Sequence, residues 1–182
     1  GVDANALAER GMRVTAFDAN THTQFIKAIN NMNSEPITGL IIDLRHTAGG
    51  DIGMAALMLD RMLPEGDVMS KTLRDGTVEL VYTSDRLELN LPMAVLVDGA
   101  TAGPGELFAA AMTDYGKASV VGTRTAGKGT IKQVFTLSDG SKVVLSTAII
   151  NPPKSGTFNG VGVRPDYAVD PLGAGDYDFY TM

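Results

Sequence analysis

Residues 93–115 read MAVLVDGATAGPGELFAAAMTDY, and this segment gives the strongest indication of the fold class. The apolar run over 93–97 is typical of a buried strand, and the small residues after it predict a tight turn. The alanine-rich segment that begins at Glu106 predicts a helix, which Gly116 is well placed to end. A strand, a turn and a helix in this order form the repeating unit of α/β folds.

The same alternation of strands and helices continues on both sides of this stretch. The turn sequences Asp75-Gly76 and 138–140 (Ser-Asp-Gly) each predict a hairpin. We therefore predict an α/β domain with a mixed sheet. The other predicted elements are helices over 20–32 and 54–63, strands over 12–17, 39–44 and 119–122, and hairpins over 67–82 and 131–150.

Composition excludes several classes of function. The 182-residue chain carries a net charge of −6 and no basic run, so nucleic acid and anionic membranes are poor candidates for partners. It contains no cysteine, which removes disulfides, thiol catalysis and thiolate metal sites. No apolar run is long enough for a transmembrane helix, and we expect neither a metal site nor a cofactor.

Three loops are candidates to meet at one site. The loop 45–51 follows a strand, and Gly49 and Gly50 in it leave backbone N–H groups that suit an oxyanion hole. The turn 99–105 opens a helix, whose N-terminus favours negative charge. The third loop presents Lys128, and a lysine can act as general base when burial removes its charge. A solvated loop lysine and a plain glycine turn are the ordinary alternatives.

The order of the motifs resembles the C-terminal processing (tail-specific) peptidases, from about residue 12 to residue 169. These peptidases first show an apolar strand that ends in Asp-Leu-Arg and is followed by glycines. A small-residue turn comes next, before a Glu and an alanine-rich helix. A Gly-Lys-Gly loop, a Leu-Ser-Asp-Gly-Ser turn and a Gly-Val-x-Pro-Asp signature follow in that order. The corresponding segments are 43–50, 95–112, 127–129, 137–141 and 162–166.

The resemblance implies a crotonase/Clp-protease-like fold and a Ser–Lys endopeptidase. Its substrates would be unstructured C-terminal tails of proteins outside the cytoplasm, in the periplasm or cell envelope, and a homo-oligomer is one option for its assembly. The family's PDZ module normally precedes the core; it is absent here, so residues 1–11 are expected to be a lead-in or linker. The core domain is predicted over 12–170 and a C-terminal tail over 171–182.

The chain departs from the family at the residues that carry the chemistry. Lys128 matches the general base, but the nucleophile position, 25 residues earlier, is Gly103. Pro104 follows it and has no N–H, so the second oxyanion donor of the family is missing. Lys132 occupies the place of the glutamine that orients the base, and Gln133 comes one residue later. Gln133 can replace that glutamine only if a bulge restores the phase of the strand.

These departures favour a peptidase core whose catalytic pair is broken and whose substrate groove is retained. Such a chain could bind peptide tails or regulate an active homologue. One alternative is an active peptidase with a rearranged nucleophile, for which Thr101 is the nearest hydroxyl. Another is a crotonase-like enzyme that acts on a thioester through the Gly49–Gly50 and 102–104 turns.

Overall fold

The computed structural model describes residues 11–32 and 37–169. Its helices are α1 (Ala19–Met32), α2 (Ile52–Asp60) and α3 (Pro104–Asp114). Its strands are β1 (Gly11–Arg13), β2 (Leu40–Asp43), β3 (Gly66–Leu73), β4 (Val78–Ser84), β5 (Met93–Val97), β6 (Ala118–Gly122), β7 (Thr130–Thr136), β8 (Lys142–Asn151) and β9 (Tyr167–Ala168). The predicted linker lies outside these residues except for Gly11, and the predicted tail lies wholly outside them.

The strands form two sheets. One is parallel, in the order β1-β2-β5-β6-β9, and the other is antiparallel, in the order β4-β3-β8-β7. The α/β class with parallel and antiparallel strands is therefore confirmed, although the two kinds of strand are separated rather than mixed in one sheet. They are separated because the two predicted hairpins pair with each other through β3 and β8, from Ser70↔Asn151 to Leu73↔Ala148.

The parallel sheet determines where the loops meet. Each of its strands lies beside the next strand of that sheet along the chain, so the carboxyl ends of β2, β5 and β6 share one edge. In α/β sheets this edge is the usual position for ligand-binding loops. The three candidate loops leave the sheet there.

Helix α3 is enclosed by the core. Residues 104–112 of this helix are all buried. The ring of Phe108 packs against those of Phe17 and Phe25, with centroid distances of 6.3 and 6.5 Å. Close packing of this kind leaves a helix little freedom to shift, so the N-terminus of α3 is held in a fixed place. Within the described ranges, no helix has the length and apolar character needed to cross a membrane.

Several local features differ from the sequence prediction. Strand β1 ends at Arg13 rather than at residue 17, and helix α2 spans Ile52–Asp60 rather than 54–63. Helix α1 begins at Ala19, one residue before the predicted range 20–32, and is capped by Asp18, whose carboxylate accepts a hydrogen bond from Thr21 N at 2.7 Å. Strand β9 was not predicted, because two residues are too few to show an alternating pattern.

Candidate active site

Three loops at the carboxyl edge of the parallel sheet are in contact. Ala102 N donates to Thr47 O at 2.9 Å and joins the first loop to the second. Ala126 N donates to Thr101 O at 3.0 Å and joins the second loop to the third. The structure therefore brings together the loops that the sequence singled out. They are residues 45–51, 99–105 and 125–129.

Gly103 has the backbone of a strained turn. It is the N-cap of α3, with φ 57° and ψ −109°. Residues with a side chain rarely adopt such a φ, and a nucleophilic serine on a strand–turn–helix elbow is one setting in which proteins accept the strain. A Cβ at Gly103 would lie 3.8 Å from the carbonyl oxygen of Lys128, an ordinary van der Waals distance. The turn thus has room for a small side chain directed at the lysine loop.

Pro104 occupies the first turn of α3, where a missing N–H does not interrupt the helix. It therefore fits the fold while leaving the turn without the donor that follows the nucleophile in the family. Gly105 is packed tightly behind it, because a Cβ there would lie 3.0 Å from the Cγ2 atom of Thr101.

Glu106 connects the turn to the lysine loop. Its side chain is fully buried, and its Oε2 atom accepts hydrogen bonds from Gly103 N at 2.9 Å and Lys128 N at 2.8 Å. The Oε1 atom accepts from Gly127 N at 2.6 Å and from the hydroxyl of Thr125 at 2.5 Å. One carboxylate therefore holds positions 103 and 128 next to each other.

The glycines on both sides of Lys128 are required by close backbone contacts. Gly127 has φ 76°, and a Cβ there would lie 3.0 Å from Gly162 N. A Cβ at Gly129 would lie 2.8 Å from Asn159 N. Real Cβ atoms essentially never come as close as the Gly129 distance, so a larger residue there would push the lysine loop away from Asn159. At Gly127 the distance is tight and the positive φ disfavours a side chain in any case.

The Lys128 side chain is exposed, unlike the buried base that the mechanism of the family would suggest. Burial was the influence expected from the sequence to remove its charge.

Lys132 and Gln133 are both exposed and point to opposite faces of β7. The pairing of β7 with β8 does contain a bulge, between Ile131 and Lys132. The extra residue of that bulge is Thr147 on β8, so the alternation along β7 continues unbroken. Gln133 therefore does not take up the orientation of residue 132.

The first loop is shaped by two close contacts. The guanidinium of Arg45 binds the buried carboxylate of Asp43 in a bidentate manner, with N···O distances of 2.9 and 2.7 Å. Gly50 has φ 133°, and a Cβ there would lie 2.5 Å from Phe17 O, so packing explains this glycine. A Cβ at Gly49 would meet nothing within 4 Å, and Gly49 stays a candidate oxyanion donor.

Asp98 joins the first loop to the turn. Its carboxylate accepts hydrogen bonds from His46 N at 3.1 Å, Ala100 N at 3.0 Å and Thr101 N at 2.9 Å. The exposed His46 ring also places Nδ1 3.1 Å from this carboxylate. Burial alone would raise the pKa of Asp98, but the hydrogen bonds from His46 and Thr101 together with the His46 charge outweigh it and lower that pKa.

Thr101 is not placed as a nucleophile. Its side chain is fully buried, and its hydroxyl donates to Leu44 O at 2.9 Å and accepts from Asp98 N at 3.0 Å. The hydroxyl therefore serves the turn rather than facing a substrate.

The sequence alone did not assign roles to Glu106, Asp98 and Thr125. For Glu106 a signal existed, because a Glu three residues after an N-cap is the pattern of a capping box. For the other two residues no local pattern distinguishes a buried hydrogen-bond partner from a surface residue.

We expect Asp98→Asn to weaken the fold by about 1–3 kcal/mol at neutral pH, because charge-assisted hydrogen bonds are lost. Since the folded pKa of Asp98 is lowered, its contribution is full above the unfolded value of about 3.9 and is lost as pH falls through the folded value. Urea unfolding at pH 7, 5 and 3 checks this. The difference in the free energy of unfolding between the native chain and Asp98→Asn should shrink at acid pH. A difference that stays constant with pH would mean that the ionised Asp98 carboxylate does not stabilise the fold.

Comparison with known proteins decides the family. The profile described as peptidase family S41 matches residues 11–169. The chain belongs to peptidase family S41. The resemblance to the C-terminal processing serine peptidases is thereby confirmed, and with it the fold class.

Curated relatives of this chain are named as C-terminal processing proteases. The chain is 30% identical over 159 residues to a carboxyl-terminal-processing protease of Synechocystis sp., covering 87% of this chain and 37% of the relative. It is 32% identical over 170 residues to the chloroplastic C-terminal processing peptidase of Tetradesmus obliquus, covering 88% and 35%. The chain thus spans about a third of the length of these relatives.

Two solved structures resemble this chain. The photosystem II D1 C-terminal processing protease superposes with a TM-score of 0.83 at 30% identity, covering 88% of this chain and 42% of the other. Mature CPAF in complex with lactacystin superposes with a TM-score of 0.68 at 14% identity, covering 87% and 46%, and supports the fold alone.

Proposed function

We propose that this chain is the core of an S41 C-terminal processing peptidase that still binds unstructured protein tails but is impaired in covalent catalysis. The observation that carries the proposal is the shared carboxylate of Glu106, which accepts from both Gly103 N and Lys128 N. This contact supports the proposal, because it holds the two positions that match the family's catalytic pair side by side, and only one of them carries a reactive side chain.

The loss of chemistry follows from the residues at the turn. Gly103 has no atom that can attack a carbonyl, and loss of the nucleophile costs about a millionfold in turnover in subtilisin. Pro104 cannot donate to an oxyanion, and loss of one such donor costs ~10²–10³-fold in an enzyme that keeps its nucleophile. Lys132 places a second cation where the family has a neutral orienting residue. These three changes act on nucleophile, oxyanion and base in turn.

The geometry gives no support to the alternative nucleophile Thr101, because its hydroxyl is buried and already engaged with Leu44 O and Asp98 N. We include in the proposal a peptide-binding or regulatory role, which does not require a nucleophile. A thioester reaction would need the same two oxyanion donors. One of them is the N–H of residue 104, and Pro104 has no N–H.

The substrates we propose are unfolded protein C-termini, as the names of the relatives suggest. An extracytoplasmic location is proposed on the same basis, since the relatives include bacterial and chloroplastic proteins. We further propose that residues 12–170 act as the peptidase-family domain, with 1–11 as linker and 171–182 as tail. The net charge of −6 makes a nucleic-acid partner unfavourable, and the proposal does not depend on the number of subunits.

A paired binding and cleavage assay tests this proposal. The probe is a fluorescent unstructured peptide with valine at alternate positions and a free C-terminus. We expect the native chain to bind it in fluorescence anisotropy, while mass spectrometry shows no more cleavage than with Lys128→Ala, because no nucleophile is present. Cleavage that disappears in Lys128→Ala would show that the chain is an active peptidase and would contradict the proposal.

A further inference from the structure

Strand β7 is an edge strand that starts two residues after Lys128. It is the last strand of the antiparallel sheet among the described residues, and β8 is its neighbour. We infer that the other edge of β7 binds an extended polypeptide as an additional strand and leads it to the turn at Gly103. This inference rests on the proposed function, since it assigns the surface on which the peptide tail is bound.

The backbone of β7 presents alternate residues to that edge. Ile150 N donates to Gly129 O at 2.9 Å, so these two residues form a hydrogen-bonded pair of the antiparallel ladder. Thr130, the next residue, therefore turns its N–H and C=O away from β8. The extra residue of the bulge lies on β8, so the alternation along β7 is kept. The residues that share the orientation of Thr130 are Lys132, Val134 and Thr136.

Apolar side chains flank the edge on both faces of the hairpin. Val134 and Val144 are directly paired on one face, and their exposed fractions are 60% and 58%. Phe135 and Leu145 lie on the other face, with 42% and 51% exposed. An added strand would cover apolar surface on both sides, since cross-strand and diagonal neighbours contact each other within a sheet. Edge strands that stay unpaired usually avoid this combination.

The partner that fits is an extended, proline-free tail rather than a second copy of the chain. Lys132 sits on the edge strand, and a lysine there is a common device against pairing between copies. An edge of seven residues is about 24 Å long at ~3.4 Å per residue. It begins at the lysine loop, so a peptide paired along it has one end at the candidate site. Valine, isoleucine or aromatic residues at alternate positions would contact Val134 and Val144, or Phe135 and Leu145.

Val134→Pro tests the edge, with Val134→Ala as its matched control. The N–H of Val134 faces the edge, so proline there removes a donor for the peptide without removing a bond to β8. We expect Val134→Pro to bind the valine-containing peptide about tenfold more weakly than the native chain. Val134→Ala should weaken binding less than about threefold, because it keeps the backbone donor. Circular dichroism confirms that both variants are folded.

Peptides methylated at alternate amide nitrogens test the same edge with the native chain, so the result does not depend on the folding of a variant. An edge strand pairs with every second amide of its partner, so one methylation register should weaken binding about tenfold and the other should not. Equal affinities for the two registers, or unchanged binding by a folded Val134→Pro, would overturn the inference and leave the proposed function standing. A native dimer that Val134→Pro separates in sedimentation would assign the edge to a second copy and also overturn it. A native chain that binds no peptide would overturn both proposals.

Discussion

The chain carrying both Gly103→Ser and Lys132→Gln is expected to cleave unfolded peptides at least about 100-fold faster than the native chain. Loss of the nucleophile costs about 10⁶-fold in the subtilisin example, and one missing oxyanion donor costs about 10²–10³-fold. The double change restores the first and leaves the second, because Pro104 still has no N–H. Adding Pro104→Ala should therefore raise the rate by a further ~10²–10³-fold. Cleavage of a quenched fluorescent peptide measures both steps.

Two controls distinguish restored chemistry from contamination or misfolding. Adding Lys128→Ala should return the rate to that of the native chain, because the lysine is the only candidate base assigned at this site. Gly103→Ser alone should lower stability by about 1–3 kcal/mol, since φ at that position is 57°. If the folded chain with Gly103→Ser, Lys132→Gln and Pro104→Ala shows no cleavage that depends on Lys128, the loops do not form a catalytic groove.

Glu106→Ala is expected to destabilise the fold by about 3–5 kcal/mol. The substitution leaves three backbone N–H groups and the Thr125 hydroxyl without their buried acceptor, and each unsatisfied group costs about 1–3 kcal/mol before relaxation. Urea unfolding followed by circular dichroism gives the change in the free energy of unfolding.

Glu65→Ala is the matched control for that measurement. Glu65 is exposed and pairs with Arg86 at the surface, so its loss should cost less than about 1 kcal/mol. Glu106→Gln should fall between the two, because the amide keeps one acceptor and turns an NH₂ group towards two of the donors. Equal effects of Glu106→Ala and Glu65→Ala would mean that the buried carboxylate does not hold the site together.

Much of the fold was predictable because its signals are local. The apolar run at 93–97 and the small-residue turn after it predict a strand and a helix wherever they occur. The Asp75-Gly76 turn predicts a hairpin in the same way. The convergence of the three loops was also predictable, since parallel strands place their carboxyl ends at one edge.

The remaining features depend on contacts between distant residues. The pairing of β3 with β8, which separates the antiparallel strands into their own sheet, joins segments about 80 residues apart. The exposure of Lys128 depends on which segments pack over its loop. The face of β7 to which Gln133 points depends on which strand carries the extra residue of the bulge. That residue is Thr147 on β8, and no sequence pattern indicated it. The four hydrogen bonds that the Glu106 carboxylate accepts could not be predicted, because the sequence does not show where the lysine loop lies.

We propose that the loops around residues 103 and 128 form a catalytic site that has lost its nucleophile and one oxyanion donor. Labelling with a serine-directed fluorophosphonate, followed by peptide mapping, tests it most directly. We expect no labelling at position 103 in the native chain. We expect labelling there in the chain with Gly103→Ser, Pro104→Ala and Lys132→Gln, and its loss when Lys128→Ala is added. Absence of labelling in the folded chain with Gly103→Ser, Pro104→Ala and Lys132→Gln, or labelling that persists without Lys128, would mean that residues 103 and 128 do not form a catalytic pair.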